Sequence, residues 1–343
     1  MDFESLLASW EGEHAVVRHD AESGAWMFVC VHSTALGPAG GGTRLRVYPA
    51  PADGLADAIR LSGAMTWKMA AAGMPRGGGK AVLAVPELPT GEPRKRLLRR
   101  YGELVASLGG TYRTAGDMNI SPEDLDVVAE TCPWVYGTTG RGGNSGRGTA
   151  RGALHAIHAT VEHVFGSPEL ANRSVLVQGA GAVGAVLARE LADGGARVLV
   201  SDVEGSRAAV TGCETVAPER VLETEVDVYS PCAVGGTLNA ESIPHLACRA
   251  VAGCANNQLA EPGDAERLHE RGILYAPDYV VNAGGIIQLI GLEDESWDEE
   301  QLQEGLARIG NTLRTLFAEA DAEGVTPAEA ADRLVRRRLA EAA

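Results

Sequence analysis

The stretch TWKMAAAGMPRGGGK, from Thr66 to Lys80, contains two of the three lysines in the chain. The other basic side chains, apart from histidine, are arginines, which stay charged in proteins. A lysine amine can lose its proton when it is moved out of water or placed beside another cation, and it can then act as a base or a polarising group. Lys68 and Lys80 are therefore candidates for chemistry that arginine cannot perform.

Glycines and one carboxylate accompany the two lysines. Gly40, Gly41 and Gly42 precede Arg44, and Asp117 follows in the segment TAGDMN. We expect the glycine stretch to leave backbone N–H groups open to a ligand. Together with two titratable amines and a carboxylate, such a stretch suits an anionic substrate and proton transfer. Taken singly, each charged residue is also compatible with an exposed ion pair.

A second glycine motif lies in SVLVQGAGAVGAVLARELADGGARVLVSD. Gly179, Gly181 and Gly184 form GxGxxG directly after an apolar strand and at the start of a helix. This arrangement predicts a tight turn whose N–H groups, with the helix N-terminus, bind a pyrophosphate. Asp202 ends the next strand at the spacing of the acid that binds the adenosine ribose hydroxyls. The alternative is a glycine-rich turn without a ligand, but strand, helix and acid together favour a dinucleotide site.

Hydrophobic periodicity and turn residues predict the elements that position these residues. In the first part of the chain they are two strands within 14–32, a helix over 54–73, a strand over 80–86, a helix over 94–109, a short segment at 111–120 and a helix that Ser121 caps. Pro122 suits the first turn of that last helix. The pattern indicates a unit that mixes strands and helices.

An abrupt change of composition at GTTGRGGNSGRG, residues 137–148, indicates an interdomain hinge. A helix is predicted over 149–166, and strands then alternate with helices. The predicted strands are 174–178, 196–202, 227–231, 249–253 and 273–277. Such alternation predicts a parallel sheet covered on both faces. The end of the chain is predicted to be helical, with a break from Gly324 to Pro327.

Composition limits the class of partner. The formal charge of −16 and the pI near 5.0 argue against nucleic acid or a membrane surface as the main partner, so a small solute is expected. The basic run from Arg94 to Arg100 has helical spacing, which favours a solvated or subunit-facing surface over a phosphate site. Six scattered cysteines without CxxC spacing indicate reduced thiols in the cytoplasm. We expect no secretory leader, no membrane-spanning segment and no metal site.

Several segments, in this order, resemble the amino-acid dehydrogenase family that includes the leucine, phenylalanine, valine and glutamate enzymes. The matching segments are GPAGGGTR (37–44), MTWKMAAAGMPRGGGK (65–80), YRTAGDMN (112–119), GAGAVG (179–184), SPCAVGG (230–236), AGCANNQL (252–259) and APDYVVNAGG (276–285). They span nearly the whole chain and favour the leucine/phenylalanine/valine branch. Several segments in the right order are far more specific than GxGxxG alone.

The resemblance implies an α/β protein with two domains and a cleft between them, as the length of 343 residues also suggests. Residues 1–138 would form the catalytic, substrate-binding and oligomerisation domain. Residues 139–325 would form a Rossmann-type domain that binds NAD. The helix at 326–343 is expected to pack back on the first domain, and a homo-oligomer is expected.

The resemblance also implies roles for individual residues. Lys68 would hold the substrate carboxylate, with help from Asn282 and from the backbone at 41–42. Lys80 would polarise the carbonyl or activate the attacking water, and Asp117 would shuttle the proton of the amino group. The residues implied to bind the substrate are Gly40, Gly41, Gly42, Met65, Lys68, Ala115, Asn282, Ile286 and Leu289. The residues implied to bind the cofactor are Thr149, Gly179, Ala180, Gly181, Ala182, Val183, Gly184, Asp202, Cys232, Ala233, Ala255 and Asn257.

The implied reaction is the oxidative deamination of an apolar L-amino acid, and its reverse. A hydride leaves to the nicotinamide and gives an iminium ion, water adds to form a carbinolamine, and ammonia departs to leave the 2-oxo acid. Gly40, Ala115, Ile286 and Leu289 would surround the substrate side chain, and none of them could neutralise a glutamate. The room at Gly40 ranks phenylalanine slightly ahead of leucine, with valine also in contention. Asp202 favours NAD over NADP.

One segment departs from the family pattern. The hinge is shortened to GRGGNSGRGTARG, and Arg147 falls close to Thr149, the expected nicotinamide contact. This departure motivates an alternative, a regulatory protein that binds NAD and an amino acid without turnover. The presence of Lys68, Lys80 and Asp117 argues against it. A third interpretation, a Rossmann oxidoreductase acting on alcohols, lacks a histidine in a recognisable catalytic setting.

Overall fold

The computed structural model describes residues 3–141 and 145–342, and the chain divides into two compact units. Unit 1 is formed by Met1–Asn144, Leu292–Ser296 and Arg337–Ala343, and unit 2 by Ser145–Gly291 and Trp297–Arg336. Part of the hinge that the sequence predicts at 137–148, namely 142–144, lies outside the described residues.

Unit 1 is built around a mixed five-stranded sheet with the order β1-β2-β4-β3-β5. Its elements are α1 (Phe3–Ala8), β1 (His14–Asp20), β2 (Ala25–Ser33), β3 (Ala39–Val47), α2 (Pro51–Ala72), β4 (Gly77–Val85), α3 (Gly91–Ala106), β5 (Tyr112–Gly116) and α4 (Pro122–Ala129). β3 runs parallel to β4 and to β5, whereas β2 is antiparallel to β1 and to β4. The predicted strands at 14–32 and the helices around 54–73 and 94–109 are confirmed.

Alternating side chains of the unit 1 sheet form two cores. Phe28 and Val82 point to one face, where they pack with Leu55 of α2. Val29 and Leu83 point to the other face, where they pack with residues of α3 and α4. This period of two is the reason why the apolar strands of the first domain could be recognised in the sequence.

The two glycine runs of unit 1 differ from the prediction. The first run belongs to β3, a paired internal strand, instead of an open stretch, and β4 already begins at Gly77. A Cβ atom on Gly78 would lie 2.1 Å from the backbone nitrogen of Thr66, and one on Gly41 would lie 1.8 Å from the carbonyl oxygen of Gly79. The glycines therefore let α2 and β3 lie directly against the backbone of β4.

Unit 2 contains a six-stranded sheet with the order β11-β10-β9-β6-β7-β8, and all its strand pairs are parallel. Its elements are α5 (Ser145–Phe165), β6 (Ser174–Gln178), α6 (Gly184–Asp193), β7 (Arg197–Ser201), α7 (Gly205–Val210), β8 (Glu214–Thr215), β9 (Val226–Pro231), β10 (Cys248–Val251), α8 (Asp264–Glu270), β11 (Leu274–Tyr275), α9 (Asp278–Val281), α10 (Gly284–Glu293) and α11 (Glu299–Glu323). The last residues of α10 belong to unit 1. The predicted two-domain α/β fold with a Rossmann-type parallel sheet is confirmed.

The end of the chain forms α12 (Pro327–Ala342), which follows α11 after a left-handed Gly324 with φ of 68°. Within unit 1, the Arg338 guanidinium donates to the carbonyl oxygens of Ala70 at 2.6 Å and Ala71 at 2.9 Å. These carbonyls belong to the last turn of α2, where a cation complements the helix dipole. Among residues 3–141 and 145–342, no helix is both long and apolar enough to cross a bilayer.

Candidate active site

The structure brings Lys80 and Asp117 together in unit 1. Lys80 lies in the middle of β4, and Asp117 follows directly after β5. Lys80 Nζ is 2.7 Å from Asp117 Oδ2, and the two side chains are 7% and 27% exposed. The amine is therefore held in a nearly water-free position, while the carboxylate retains contact with solvent.

Arg44, on β3, is a second cation at the same carboxylate. Its Nε is 3.0 Å from Asp117 Oδ2, and its Nη1 is 2.8 Å from Oδ2 of Asp57 on α2. The Tyr48 hydroxyl donates to the same Asp57 oxygen at 2.7 Å. Arg44 and Tyr48 thus both bind Asp57, and Arg44 bridges Asp57 and Asp117.

These contacts set the ionisation of the pair. Burial lowers the pKa of the Lys80 amine, and the nearby Arg44 lowers it further, against the opposing attraction of Asp117. Burial acts to raise the pKa of Asp117, but the charges and hydrogen bonds of Lys80 and Arg44 outweigh it, and the pKa of Asp117 is lowered. A lysine that can exchange its proton and a carboxylate that stays ionised are the groups that proton transfer needs.

The two oxygens of Asp117 differ. Both cations bind Oδ2, and among the described residues none hydrogen-bonds Oδ1. Oδ1 is therefore left to accept a proton or a hydrogen bond from a ligand.

A buried polar network supports the strands on which this site is built. The Tyr101 hydroxyl lies 2.6 Å from the Thr43 hydroxyl and 2.9 Å from that of Thr114. The Tyr112 hydroxyl donates to the Gly41 carbonyl oxygen at 2.6 Å. These hydrogen bonds fix β3 against β5 and satisfy groups that are buried.

The other residues of unit 1 that the sequence assigned to the substrate lie on three elements. Met65 and Lys68 are one turn apart on α2 and are half-buried, and Ala115 is buried on β5. Gly40 is buried on β3, where a Cβ atom would lie 3.0 Å from Met69 Cε. The Met69 side chain therefore takes up much of the room that the absent Gly40 side chain would leave.

In unit 2, the GxGxxG turn has the geometry of a pyrophosphate site. Gly179 has φ of 102°, which favours glycine, and a Cβ there would lie 2.8 Å from Ala233 Cβ. A Cβ on Gly184 would lie 1.9 Å from the Gly179 carbonyl oxygen, so α6 packs tightly on the turn. A Cβ on Gly181 would meet nothing within 4 Å, which leaves its backbone open to a ligand. Ala180, Ala182 and Val183 complete this turn.

Asp202 lies beside this turn, directly after β7. Its Oδ2 accepts a hydrogen bond from the Ala180 backbone N–H at 2.7 Å, and its Oδ1 accepts one from Glu204 N–H at 2.9 Å. Burial acts to raise the pKa of Asp202, but these two backbone hydrogen bonds outweigh it, and the pKa is lowered. The carboxylate therefore stays ionised beside the phosphate turn, where it can accept from ribose hydroxyls.

Two further segments of unit 2 border the turn. Cys232 and Ala233 follow β9, and Ala255 and Asn257 follow β10, all near the carboxyl ends of parallel strands. The Gly236 N–H donates to the Asn257 carbonyl oxygen at 2.7 Å, which joins the two segments. Ligands of open parallel sheets bind at this end of the strands.

Thr149 and the assigned residues near α10 also belong to unit 2. The Thr149 hydroxyl donates to the Ser145 carbonyl oxygen at 3.0 Å. Asn282 Nδ2 donates to Asn256 Oδ1 at 3.0 Å, while the buried Asn282 Oδ1 accepts no hydrogen bond from the described residues. Ile286 is half-buried on α10 and Leu289 is buried. Asn282 thus keeps one acceptor for a donor outside the described chain.

Sequence reasoning missed two groups of residues. Arg44 was noticed beside the glycines, but its pairing with Asp57 and Asp117 was not, because these acids lie far from it in the chain. A second group centres on Asp294, whose side chain is 6% exposed. It pairs with Arg76 at 2.5 Å and with Arg113, and accepts from the Tyr136 hydroxyl. No local signal distinguished Asp294 from its neighbours, because it lies in the acidic segment GLEDESWDEE.

The residues of unit 2 fit a dinucleotide. The exposed backbone at Gly181 leaves space for a pyrophosphate, and the Asp202 carboxylate lies beside the same turn. No three His, Cys, Asp or Glu side chains within 3–141 and 145–342 are placed to hold a metal ion. Fold and site together define a two-domain α/β oxidoreductase with a nicotinamide-type cofactor site.

Comparison with known proteins gives the family. Residues 16–139 match the dimerisation domain of the Glu/Leu/Phe/Val dehydrogenases, and residues 207–343 match the Glutamate/Leucine/Phenylalanine/Valine dehydrogenase domain. The chain belongs to this family of amino-acid dehydrogenases, as the sequence motifs predicted.

Relatives match the chain over nearly its full length. It is 42% identical to the valine dehydrogenase of Streptomyces albus over 98% of this chain and 95% of the relative. It is 35% identical to the leucine dehydrogenase of Geobacillus stearothermophilus over 99% and 94%. The crystal structure of L-tryptophan dehydrogenase from Nostoc punctiforme has a TM-score of 0.85 and 36% identity, and covers 99% of both chains.

The chain is therefore an oxidoreductase of the amino-acid dehydrogenase type, with a nicotinamide cofactor. The non-catalytic alternative that the shortened hinge motivated finds no support in these comparisons.

Proposed function

We propose that the protein catalyses the NAD-dependent oxidative deamination of an apolar L-amino acid to the 2-oxo acid and ammonia, and the reverse reductive amination. The observation that carries the proposal is the nearly buried Lys80 amine, 2.7 Å from the Asp117 carboxylate. This pair is able to move protons, and it stands on the same sheet as the glycines and near the helix that carries Lys68. Ion pairs without a chemical role usually lie at the surface, whereas the amine of this pair is 7% exposed and belongs to the central strand of the sheet.

In unit 1, different residues bind the substrate and transfer protons. Lys68 and the backbone at 41–42 bind the substrate carboxylate, for which a charged amine is suited. Asp117 accepts the proton of the substrate amino group on Oδ1, the oxygen that the two cations leave open. Lys80, once it has given up its proton, activates the water that attacks the substrate carbon, and afterwards polarises the carbonyl oxygen.

A bound nicotinamide ring would supply the acceptor for the hydride of the substrate α-carbon. The rest of the dinucleotide would be bound by the turn Gly179–Gly184, by Asp202 and by the segments that contain Ala233 and Asn257. Thr149 and Asn257 would orient the ring, and Asn282 would use its unfilled Oδ1 or its amide to position the substrate.

We assign NAD as the preferred cofactor. The Asp202 carboxylate would accept hydrogen bonds from a ribose 2′-hydroxyl and would repel a 2′-phosphate. Arg207 could have offset this repulsion, but it pairs with Glu204 at 2.8 Å. Glu204 therefore competes with a 2′-phosphate for this arginine.

The substrate side chain is apolar, and we propose a branched aliphatic one. The phenylalanine ranking depended on free space at Gly40, and the position of Met69 Cε, 3.0 Å from where a Cβ would stand, removes much of it. The relatives at 42% and 35% identity are named valine and leucine dehydrogenase. A relative at 41% identity is named L-tryptophan dehydrogenase, so the names of the relatives include an aromatic substrate, and the position of Met69 is what places leucine or valine ahead of phenylalanine.

We also propose that the enzyme is a homo-oligomer. Residues 16–139 match a domain described as a dimerisation domain. β1 is an edge strand of its sheet, and Val17 on it is 42% exposed, which suits pairing with a second copy.

Substitution of the catalytic lysine tests the division of labour. Lys80→Ala is expected to lower turnover by a factor of about 10³ or more, because the base is lost, and to leave NADH binding, measured by fluorescence titration, nearly unchanged. Lys80→Arg is also expected to fail, since it keeps the charge and loses the exchangeable proton.

Lys95→Ala is the matched control, because Lys95 is the third lysine and its side chain is 51% exposed. It should change neither quantity. High activity of Lys80→Arg would refute proton transfer by Lys80, and an equal loss of NADH affinity in Lys80→Ala would refute the separation of the two sites.

A further inference from the structure

Unit 2 has a cavity at the edge of its sheet opposite the glycine turn. The cavity has a volume of about 270 Å³ and is lined in part by Arg249 and Leu274, near the amino ends of β10 and β11, and by the start of α12. The glycine turn instead follows the carboxyl end of β6. Because all strand pairs of this sheet are parallel, the cavity and the proposed cofactor site lie at opposite edges.

The charged side chains that line this cavity are basic. They are His163, Arg249 and His269, and no described Asp or Glu lines it, although the chain has a formal net charge of −16. Asp321 lies 3.5 Å from His163 Nε2, but its side chain is 70% exposed. In an acidic protein, a cavity with this lining favours an anionic ligand.

Arg249 is the basic residue for which the fold itself provides no partner. His163 and His269 lie in the last turns of α5 and α8, where a cation also complements the helix dipole. Arg249 lies on a strand, and among residues 3–141 and 145–342 its guanidinium has no ion pair and no hydrogen bond. Its N–H groups are therefore available to bind two oxygens of one anion.

A buried hydroxyl adds a donor to the lining. Thr326, which precedes α12, is 7% exposed, and its oxygen accepts a hydrogen bond from the Glu329 N–H at 3.2 Å. The hydroxyl donates to none of the described residues, so its hydrogen is available to a ligand.

The rest of the lining includes apolar groups, among them Val164, Ile273 and Pro327. Pockets for drug-sized ligands have volumes of about 300–1,000 Å³, so this cavity suits a smaller molecule. Its anionic group would face the basic side chains, and a short carbon chain would contact the apolar wall.

We propose that this cavity binds the phosphate group of a small phosphorylated metabolite, at a site separate from the cofactor site. The guanidinium of Arg249 binds two phosphate oxygens, and the ring N–H groups of His163 and His269 and the Thr326 hydroxyl donate to the others. Phosphate is favoured over carboxylate because its additional oxygen and negative charge match this larger number of donors.

Calorimetric titration of the full-length protein with glycerol 3-phosphate and with inorganic phosphate tests this site. The protein is first saturated with NADH, so that the glycine turn is filled and cannot bind the probe. We expect one saturable site per chain, tighter binding of glycerol 3-phosphate than of inorganic phosphate, and slower amide hydrogen exchange in peptides that cover the start of α12. The site does not depend on the proposed function: if NADH does not bind, the same titration is made without it.

Variants assign the binding to this cavity in either case. Arg249→Gln should weaken glycerol 3-phosphate at least about tenfold, because charge-assisted hydrogen bonds are lost. His269→Asn, which changes another exposed residue, should also weaken it and serves if the first variant does not fold. Arg220→Gln is the matched control, since Arg220 belongs to the same unit and is 70% exposed, and it should change nothing.

Three results would overturn the proposal. The first is the absence of saturable binding of either phosphate at millimolar concentration. The second is binding that Arg249→Gln and His269→Asn leave unaltered, which would place the anion elsewhere. The third is glycerate, which replaces the phosphate by a carboxylate, binding more tightly than glycerol 3-phosphate and losing affinity in Arg249→Gln, because the site would then be specific for carboxylates.

Discussion

Lys80 and Arg44 approach the same oxygen of Asp117, and this sharing couples the three groups. Arg44 keeps the carboxylate ionised and also lowers the pKa of the Lys80 amine, in addition to the larger effect of burial. A base with a lowered pKa is in its neutral form over more of the accessible pH range. Arg44 is therefore expected to set the pH at which deamination becomes fast.

Arg44→Gln tests this coupling. Deamination needs the neutral Lys80 amine, so its rate rises with pH until it passes the pKa of Lys80. Removal of the arginine charge raises that pKa, and the rising limb of the kcat/KM profile should move to higher pH. Arg60→Gln is the control, because Arg60 also pairs with Asp57, at 2.9 Å, but is 55% exposed. A limb that stays in place or moves to lower pH in Arg44→Gln would contradict the coupling.

Asp202 decides between the two nicotinamide cofactors. Asp202→Ser removes the charge that repels a 2′-phosphate and keeps the three glycines of the turn, while it also removes the carboxylate that accepts from the Ala180 N–H. We expect the ratio of kcat/KM for NAD to that for NADP to fall by at least about tenfold, or about 1.4 kcal/mol. Glu270→Ser, which changes an exposed acid on α8, serves as the comparison. If the unmodified enzyme already prefers NADP, the assignment of Asp202 is wrong.

At the scale of elements, sequence patterns predicted most of what is local. The strands of both units were recognisable from apolar periodicity, and Ser121 caps α4 by accepting from the Asp124 N–H. The turn of Gly179 and Gly184 also depends on residues close in sequence. β3 (Ala39–Val47) was not predicted, because the glycines that permit close packing have no side-chain pattern to read.

Contacts between distant segments could not be predicted in this way. Arg44 and Asp117 are 73 positions apart, and Arg76 and Asp294 are 218 apart. The helix or strand propensity of a segment contains no information about such a partner, because the two charges meet only in the folded chain. The sequence therefore indicated the residues with a chemical role, such as Lys80 and Asp117, better than it indicated the residues that position them, such as Arg44.

The Asp294 cluster anchors the segment Leu292–Ser296 within unit 1. Asp294→Ala would leave Arg76 and Arg113 without their buried partner, and we expect a loss of about 3 kcal/mol in the unfolding free energy of unit 1. Urea unfolding followed by tryptophan fluorescence measures it. Glu295→Ala is the matched control, since Glu295 is 38% exposed and 3.7 Å from Arg76, and should cost less than about 0.5 kcal/mol. Equal effects of the two variants would show that the cluster does not anchor this segment.

At the scale of the whole molecule, each unit alone supports only part of the function. Unit 1 contains the acid–base pair, and unit 2 contains the dinucleotide turn. A parallel sheet with a glycine turn occurs in many oxidoreductases, so unit 2 alone defines a cofactor class. The Lys80–Asp117 pair and the family match of both units make the chain an amino-acid dehydrogenase.

The most direct test of this account is reductive amination followed by the loss of NADH absorbance. The purified protein is supplied with ammonia, NADH and, in turn, the 2-oxo acids of valine, leucine, phenylalanine and glutamate. We expect rapid NADH oxidation with the apolar acids, fastest with those of leucine or valine, and a kcat/KM at least about 100-fold lower with 2-oxoglutarate, whose second carboxylate would be buried without a partner. A preference for 2-oxoglutarate, or no NADH oxidation by folded protein with any of the four acids, would contradict the account.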